Sequence, residues 1–261
     1  MEASVKKNIK LLLILVLISL VFVGCNKDDN NPTDPGNTNN TGTNPTGQPL
    51  PEIDDPDANG IMATIGYSFE TLPGLPSVDL NMAFASFGDG VDAGQVVVNG
   101  NELGKTTSEG STFYMAPDFM NNPTATLSGV SFNGSQHNWT VSGGNGIPAM
   151  SGGTVSPSQF NITAPANNAT VSKASGINVT WSGSSNARVI IVLASQSGSD
   201  YYYSGELNDS GSFTIPASEL GSISGQSLLQ VVKYHYGDVN AGGKNYYIIS
   251  EIVKSNTITV Q

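Results

Sequence analysis

From Ala58 to the end of the chain, short apolar runs alternate with turns built from glycine, proline, asparagine and serine. Glycine alone contributes 30 of the 261 residues, and the long runs of Ala, Leu, Glu and Lys that favour helices are missing. Strands of roughly four to eight residues bounded by such turns are typical of β-sandwiches. The pattern therefore predicts an all-β fold.

The apolar runs form two groups, separated by glycine-rich segments between residues 142 and 153. We expect two tandem β-sandwich domains, at 58–156 and 157–261. The strands expected in the first are 60–69, 78–87, 95–98, 101–103, 112–115, 125–132 and 137–142. Those expected in the second are 177–181, 188–194, 212–215, 228–236, 246–253 and 257–260, after a turn and short strand at 167–171 and with a helical turn at 216–220.

Two segments of the second domain indicate which faces they bury. Ile177, Val179 and Trp181 alternate with polar residues, as in a strand with one face in a core. The run 188–194 is apolar almost throughout, which predicts a central strand covered on both faces.

Together with Pro165 and Val171, these two strands resemble the opening strands of immunoglobulin-like and fibronectin type III-like modules. The resemblance covers residues 160–261 and implies a two-sheet sandwich there, although the Cys…Trp…Cys spacing of many immunoglobulin domains is missing. The first domain resembles no family, so its sandwich is expected from the strand pattern alone.

The amino terminus has the features of an export signal. Lys6, Lys7 and Lys10 precede the apolar run 11–23, which spans about 20 Å as a helix and is too short for a bilayer core of about 30 Å. We therefore interpret residues 1–24 as a signal peptide rather than a membrane span.

Phe22-Val23-Gly24-Cys25 resembles the lipobox of bacterial lipoproteins, with Phe22 in place of the usual Leu. The resemblance implies cleavage before Cys25 and a lipid on that residue, whose two or more acyl chains would anchor the protein stably. The alternative is an ordinary signal peptide followed by an incidental cysteine. Lys27-Asp28-Asp29 also resembles the surface-export signal of Bacteroidota-type lipoproteins, which implies the outer membrane and its exterior face rather than the periplasmic one.

Residues 25–57 are mostly Asn, Asp, Thr, Pro and Gly, with Leu50 and Ile53 the only aliphatic side chains. Such a segment buries too little surface to offset its ordering entropy, so we expect a disordered acidic linker. The chain as a whole carries a net charge of −11. That charge argues against nucleic acid and anionic headgroups as partners, and leaves the lipid as the contact with the membrane.

Few side chains here suit catalysis. The only cysteine is Cys25, and the two histidines, His137 and His235, lie in expected strands, where an ordinary structural role is the simpler interpretation. Hydrolase and phosphate-binding motifs are missing, so the sequence predicts no catalytic residues and no enzyme. A glycoside-active or other extracellular hydrolase using a carboxylate pair remains the alternative. Candidate acids for such a pair are Glu70, Asp79, Asp118, Glu206 and Glu251.

The best metal candidate is the set Asp55, Asp57 and Asn59, because oxygen side chains at alternating positions before Gly60 reproduce the first half of a calcium loop. The glutamate expected at the twelfth position is replaced by Gly66. The competing interpretation is the plain end of an acidic linker. Calcium is therefore the one cofactor that the sequence suggests, and no other is expected.

Tyrosines are concentrated in the second domain. The predicted ligand-binding residues are Tyr201, Tyr202, Tyr203, Tyr234 and Tyr236, and Tyr246 and Tyr247 follow. A tyrosine has an apolar ring and a polar tip, which suits stacking on sugars or anchoring a protein. The alternative is that these rings fill the core. The sequence thus favours a non-catalytic binding or structural module for a polysaccharide or a surface protein, without naming the ligand.

Overall fold

The computed structural model describes residues 48–69, 78–108, 110–117, 127–196 and 200–261. The expected signal peptide, Cys25, the linker up to residue 47, Glu70, Asp118 and positions 125–126 lie outside these ranges. Within them the chain is all-β, as predicted, with one 3-10 turn at Ala217–Glu219 inside the expected 216–220. No helix in the described ranges is long and apolar enough to cross a membrane.

The strands are β1 (Ala58–Phe69), β2 (Val78–Phe87), β3 (Val96–Val98), β4 (Asn101–Glu102), β5 (Gly104–Ser108), β6 (Ser111–Ala116), β7 (Gln136–Val141), β8 (Met150–Val155), β9 (Ile162–Ala164), β10 (Thr170–Val171), β11 (Ile177–Trp181), β12 (Arg188–Ser195), β13 (Tyr201–Tyr203), β14 (Leu207–Asn208), β15 (Ser212–Ile215), β16 (Gly225–Ala241) and β17 (Lys244–Val260). Most lie within two residues of an expected strand. Residues 127–132, expected to be part of a strand, instead form turns whose Val130 and Phe132 side chains enter the core. The expected strands 246–253 and 257–260 are one continuous strand.

A ten-stranded central sheet has the order β13-β12-β16-β17-β1-β2-β6-β5, with β10 paired to β17 and β14 to β12. Its longest element is the hairpin of β16 and β17, in which Ala241 pairs with Lys244. Gly242 and Gly243 close this hairpin with positive φ angles of 61° and 77°, the conformation of a two-residue turn that matches strand twist.

The central sheet contains strands from both expected domains. β1 lies parallel to β17 in a register that runs from Ile61 opposite Tyr247 to Ser68 opposite Lys254. The two halves therefore share backbone hydrogen bonds across the expected boundary at 156 and 157, which itself stays a prediction.

Two smaller sheets pack against one face of the central sheet. The three-stranded sheet β15-β11-β9 contributes Val179 and Trp181 to this core, and the four-stranded sheet β4-β3-β7-β8 contributes Val98 and Trp139. Each half thus has sheets packed face to face, the arrangement of a β-sandwich.

Strand β8 was not expected, because the glycines at 151–153 resemble a turn. The structure instead places Gly152 against β16 and β17, where a Cβ would collide with Val239 and Ile248. Glycine is required here for close approach of two sheets rather than for a turn.

A polar link joins the central and three-stranded sheets inside this core. Lys233 of β16 lies 2.8 Å from Asp209, and both side chains are almost fully buried. Asp209 also accepts hydrogen bonds from Trp181 Nε1 at 2.6 Å and Ser185 Oγ at 2.8 Å. Burial raises the pKa of the Asp209 carboxyl, but these three donors outweigh burial and hold it below its usual value.

Side chains alternate between the two faces of the central sheet, and the opposite face carries a second apolar cluster. In β12, Ile191 enters the first core while Ile190 and Val192 enter a second one, which confirms the prediction of a strand covered on both faces. Residues 48–57 reach this second core, where Leu50 is 5% exposed and Ile53 packs beside it.

The prediction of a disordered linker is therefore wrong for residues 48–57, the carboxyl end of the predicted segment. Burying a leucine contributes about 1.5–3 kcal/mol, comparable with the cost of ordering one or two residues. The docking could not be predicted from the polar composition of 25–57, because it depends on only two aliphatic side chains, Leu50 and Ile53.

Candidate functional site

A surface pocket lies where residues 51–54 cross the hairpin of β16 and β17, and its volume is about 160 Å³. It is lined by Pro51, Glu52, Ile53, Asp54, Glu206, Tyr236, Tyr247 and Ile249. We call it the tyrosine–carboxylate pocket. Its lining combines three acidic side chains, two aromatic rings and an aliphatic floor.

The hairpin register brings the pocket's strand residues together. Tyr236 of β16 pairs with Ile249 of β17, and Tyr247 lies two positions before Ile249 on the same strand face. The next pair along this face is Tyr234 with Glu251. The strand alternation therefore builds a row of tyrosine, isoleucine and glutamate side chains beneath the docked segment.

Asp55 fastens the docked segment to the hairpin. Its Oδ2 accepts hydrogen bonds from Asn245 Nδ2 and from the Tyr247 hydroxyl, both at 2.7 Å. Its Oδ1 accepts the backbone N–H of Asp57 at 2.9 Å. The hydrogen bond from Asn245 is the main reason why the pKa of the Asp55 carboxyl is lowered. The pKa of Tyr247 is shifted upward instead, because burial and then the hydrogen bond to Asp55 raise it to about 12.

Three tyrosine rings form a continuous row at the pocket. The Tyr234 and Tyr236 rings are stacked with centroids 6.3 Å apart, and the Tyr236 and Tyr247 rings are tilted with centroids 6.4 Å apart. Tyr236 is 50% exposed, whereas Tyr234 is buried. The Tyr236 ring therefore presents itself to solvent while its neighbours hold it in place.

The electrostatic character of the pocket is negative. Glu206 accepts a hydrogen bond from the Tyr234 hydroxyl at 2.7 Å and lies 3.4 Å from Arg188 Nε, in a pair that is half exposed. Burial raises the pKa of Tyr234, and the bond to Glu206 raises it further. The negative charge of the pocket also affects Tyr203, whose pKa is raised by burial and then by the charge of Glu52.

Glu251 belongs to this row, opposite Tyr234 and two positions after Ile249. Its side chain is fully buried, and neither carboxylate oxygen has a hydrogen-bond partner in the part of the chain that the structure describes. Burial alone raises the pKa of this carboxyl well above its usual value. A buried carboxyl without a donor is rare in folded proteins and calls for an explanation.

The predicted tyrosine patch is divided by the sheet. Tyr234 and Tyr236 belong to the pocket row, and Tyr203 lies close enough to Glu52 and Glu206 to be affected by their charges. Tyr202 points to the other face and packs against the first core, while Tyr201 is exposed on β13 away from the pocket lining. The five residues therefore do not form one surface.

Glu52 and Tyr247 are not among the predicted ligand-binding residues, and Glu206 was predicted only as a candidate catalytic acid. Tyr247 could have been found by pairing the two expected strands 228–236 and 246–253 as a hairpin, which places it near Tyr236. Glu52 carries no such signal, because its position depends on the docking of Leu50 and Ile53.

The calcium candidates lie beside the pocket but turn to different partners. Asp55 receives the donors described above, Asp57 pairs with Lys244 at 3.3 Å, and Asn59 Nδ2 donates to the Tyr246 hydroxyl at 3.0 Å. No group of three or more His, Cys, Asp or Glu side chains within the described ranges is arranged to hold a metal ion. Asp55, Asp57 and Asn59 instead bind side chains of β17, and calcium binding stays a prediction.

The histidines occupy strands, as predicted. His137 of β7 is fully buried, with Nδ1 at 2.7 Å from Thr64 Oγ1 and 3.0 Å from Ser250 Oγ. Its Nε2 lies 3.0 Å from the carbonyl of Ser131, which fixes the proton on Nε2 because a carbonyl only accepts. Burial lowers the pKa of His137, and of His235 as well.

No protein-family model matches the chain, and no curated protein matches it. Among solved structures, one from a study of the host-cell surface retention of a 1.5-MDa bacterial ice-binding adhesin aligns at 14% identity with a TM-score of 0.22, over 69% of this chain and 57% of that one. The IG1+IG2 region of DIP-gamma aligns at 9% identity with a TM-score of 0.20, over 78% of this chain and 98% of that one. Similarities this low do not support an assignment of family or function.

Proposed function

We propose that the protein is a non-catalytic binding module, anchored by a lipid on Cys25 to the exterior face of an outer membrane. The tyrosine–carboxylate pocket is its ligand-binding site. The observation that carries the binding role is the half-exposed Tyr236 ring, held by Tyr234 and Tyr247 at the edge of a concave surface. Concave sites with aromatic walls and a few polar groups are the usual form of ligand pockets.

The proposed anchoring is supported by the sequence. The lipobox-like Phe22-Val23-Gly24-Cys25 precedes the polar segment 26–47. The 22 residues from 26 to 47 would span about 25 Å as a flexible coil, enough to hold the body away from the headgroups.

The binding role is tested with an array of polysaccharides and extracellular-matrix proteins. We expect the parent protein to be retained on at least one probe, Tyr236→Ala to lose that retention, and Tyr201→Ala to keep it. Tyr201 is the matched control because it is an exposed tyrosine outside the pocket. Retention that Tyr236→Ala leaves unchanged, or no retention of the parent on any probe, would contradict the proposal.

The location is tested by adding proteinase K to intact cells of the native host. An exterior anchor predicts that the folded body is shed while a periplasmic marker stays intact. Protection of the body in intact cells, with cleavage only after the outer membrane is opened, would place it in the periplasm. Mass spectrometry of the amino-terminal peptide tests the lipid, and an unacylated Cys25 would contradict the anchor.

A further inference from the structure

The lining of the tyrosine–carboxylate pocket is unbalanced in charge. Glu52, Asp54 and Glu206 contribute carboxylates, and none of the described residues that line the pocket is cationic. Arg188 pairs with Glu206 at 3.4 Å, but it lies outside the lining and is half exposed, so solvent screens this pairing. The pocket is therefore left with an excess of negative charge next to two aromatic rings.

A fourth carboxyl belongs to the same row of side chains. Glu251 is on the same face of β17 as Tyr247 and Ile249, and it is directly opposite Tyr234. Its electrostatic influence reaches Tyr203 together with the charges of Glu52 and Glu206, both of which line the pocket. Glu251 therefore lies two positions beyond the pocket's Ile249 on the same strand face, outside the lining itself, and its carboxyl has no donor within the described residues.

A bound cation would satisfy both features. It would be attracted by the surface carboxylates, and its positive charge would favour ionisation of Glu251, whose pKa burial otherwise raises well above its usual value. The faces of Tyr236 and Tyr247 would add cation–π attraction, which inorganic cations with tight hydration shells exploit poorly. The volume of about 160 Å³ suits the head and part of the alkyl stem of one side chain.

We propose, resting on the function proposed above, that the tyrosine–carboxylate pocket binds an organic cation: a primary ammonium or guanidinium group carried on an alkyl stem. In this arrangement the cation lies against the Tyr236 ring and between Glu206 and Glu52, with Glu251 next along the row beyond Ile249. Such a group is presented both by the lysine or arginine side chains of a partner protein and by free alkylamines.

The test is isothermal titration of the full-length protein with four probes. The probes are a doubly capped tripeptide with a central arginine, the same peptide with lysine, the same peptide with citrulline, and free putrescine. The arginine and lysine peptides are expected to bind and the citrulline peptide is not, because citrulline keeps the shape of arginine without its charge. Binding is expected to weaken as salt rises, since the pocket is open to solvent.

Substitutions locate the binding. Tyr236→Ala and Glu206→Gln are each expected to weaken binding of the arginine peptide by about fivefold, which corresponds to ~1 kcal/mol of lost cation attraction. Glu251→Gln is expected to weaken it as well, because glutamine cannot ionise in response to the bound cation. The matched controls are Tyr201→Ala and Glu219→Gln, an exposed tyrosine and an exposed glutamate elsewhere, and both are expected to bind as the parent does.

The two possible sources of the cation are distinguished by comparing affinities. Tighter binding of the capped peptides than of putrescine supports a protein side chain, and the reverse supports a free amine. Equal binding of the citrulline and arginine peptides, or equal binding by the Tyr236→Ala and parent proteins, would overturn the inference. Tyr236-dependent retention on a neutral polysaccharide without cation binding would overturn the cation alone and leave the proposed binding role standing.

Discussion

Replacing Asp209 by alanine tests the polar link between the central and three-stranded sheets. Lys233 is 3% exposed, and its ammonium group contacts Asp209 and the carbonyls of Ser182 and Gly183. Removing the carboxylate leaves a buried ammonium ion paired only with neutral acceptors. It also removes the acceptor of the buried Trp181 Nε1–H.

Removing one partner of a buried ion pair costs about 3–5 kcal/mol. The lost acceptor for Trp181 would by itself cost about 1–3 kcal/mol, and it overlaps with the first figure rather than adding to it. We therefore expect Asp209→Ala to lower the free energy of unfolding by about 4 kcal/mol. With a urea m-value of about 2.5 kcal/mol/M, the unfolding midpoint would fall by roughly 1.5 M.

The assay is urea unfolding followed by tryptophan fluorescence, since one of the two tryptophans, Trp181, reports on the link directly. The double variant Asp209→Ala with Lys233→Met is expected to be more stable than Asp209→Ala alone, because it removes the uncompensated cation. A midpoint shift below about 0.3 M for Asp209→Ala would refute the reasoning, as would a double variant that is the less stable of the two.

Three further predictions concern single positions. Glu251→Gln is expected to raise stability at pH 8 and to change it little at pH 4. Because the pKa of Glu251 is raised in the native state, the native protein keeps a proton that the unfolded chain releases, so this carboxyl lowers stability as the pH rises above the ordinary glutamate pKa near 4.5. Equal shifts of the urea midpoint at both pH values would contradict this. Gly152→Val is expected to lower the thermal midpoint through a loss of about 1–3 kcal/mol from overpacking against Val239 and Ile248, and an unchanged midpoint would show that β8 does not lie so close. Leu50→Ala is expected to cost about 2 kcal/mol in urea unfolding, and a cost within about 0.5 kcal/mol of zero would mean that residues 48–57 are not docked.

The strand pattern could be predicted because it is local. Strand β2 occupies the expected 78–87 and β11 the expected 177–181, since alternation and flanking turns are properties of neighbouring residues. The two-sided burial of β12 was also predicted, because its interior residues 189–194 are all apolar and leave no face that suits solvent.

Strand partners could not be predicted in the same way. The parallel pairing of β1 with β17 joins residues more than 180 positions apart, and the period of a strand does not specify its neighbour. The same holds for the candidate site. Tyr236 was selected for its residue type, whereas Glu52 and Glu206 reach it only through the docked segment and the β13–β14 connection.

The most direct test of the central claim is a crystal structure of the protein soaked with the capped arginine peptide. The account predicts guanidinium density against the Tyr236 ring, within hydrogen-bonding distance of Glu206 or Glu52, and no such density in Tyr236→Ala crystals soaked identically. Density for the peptide at another surface, with the Tyr236 ring left bare, would contradict it.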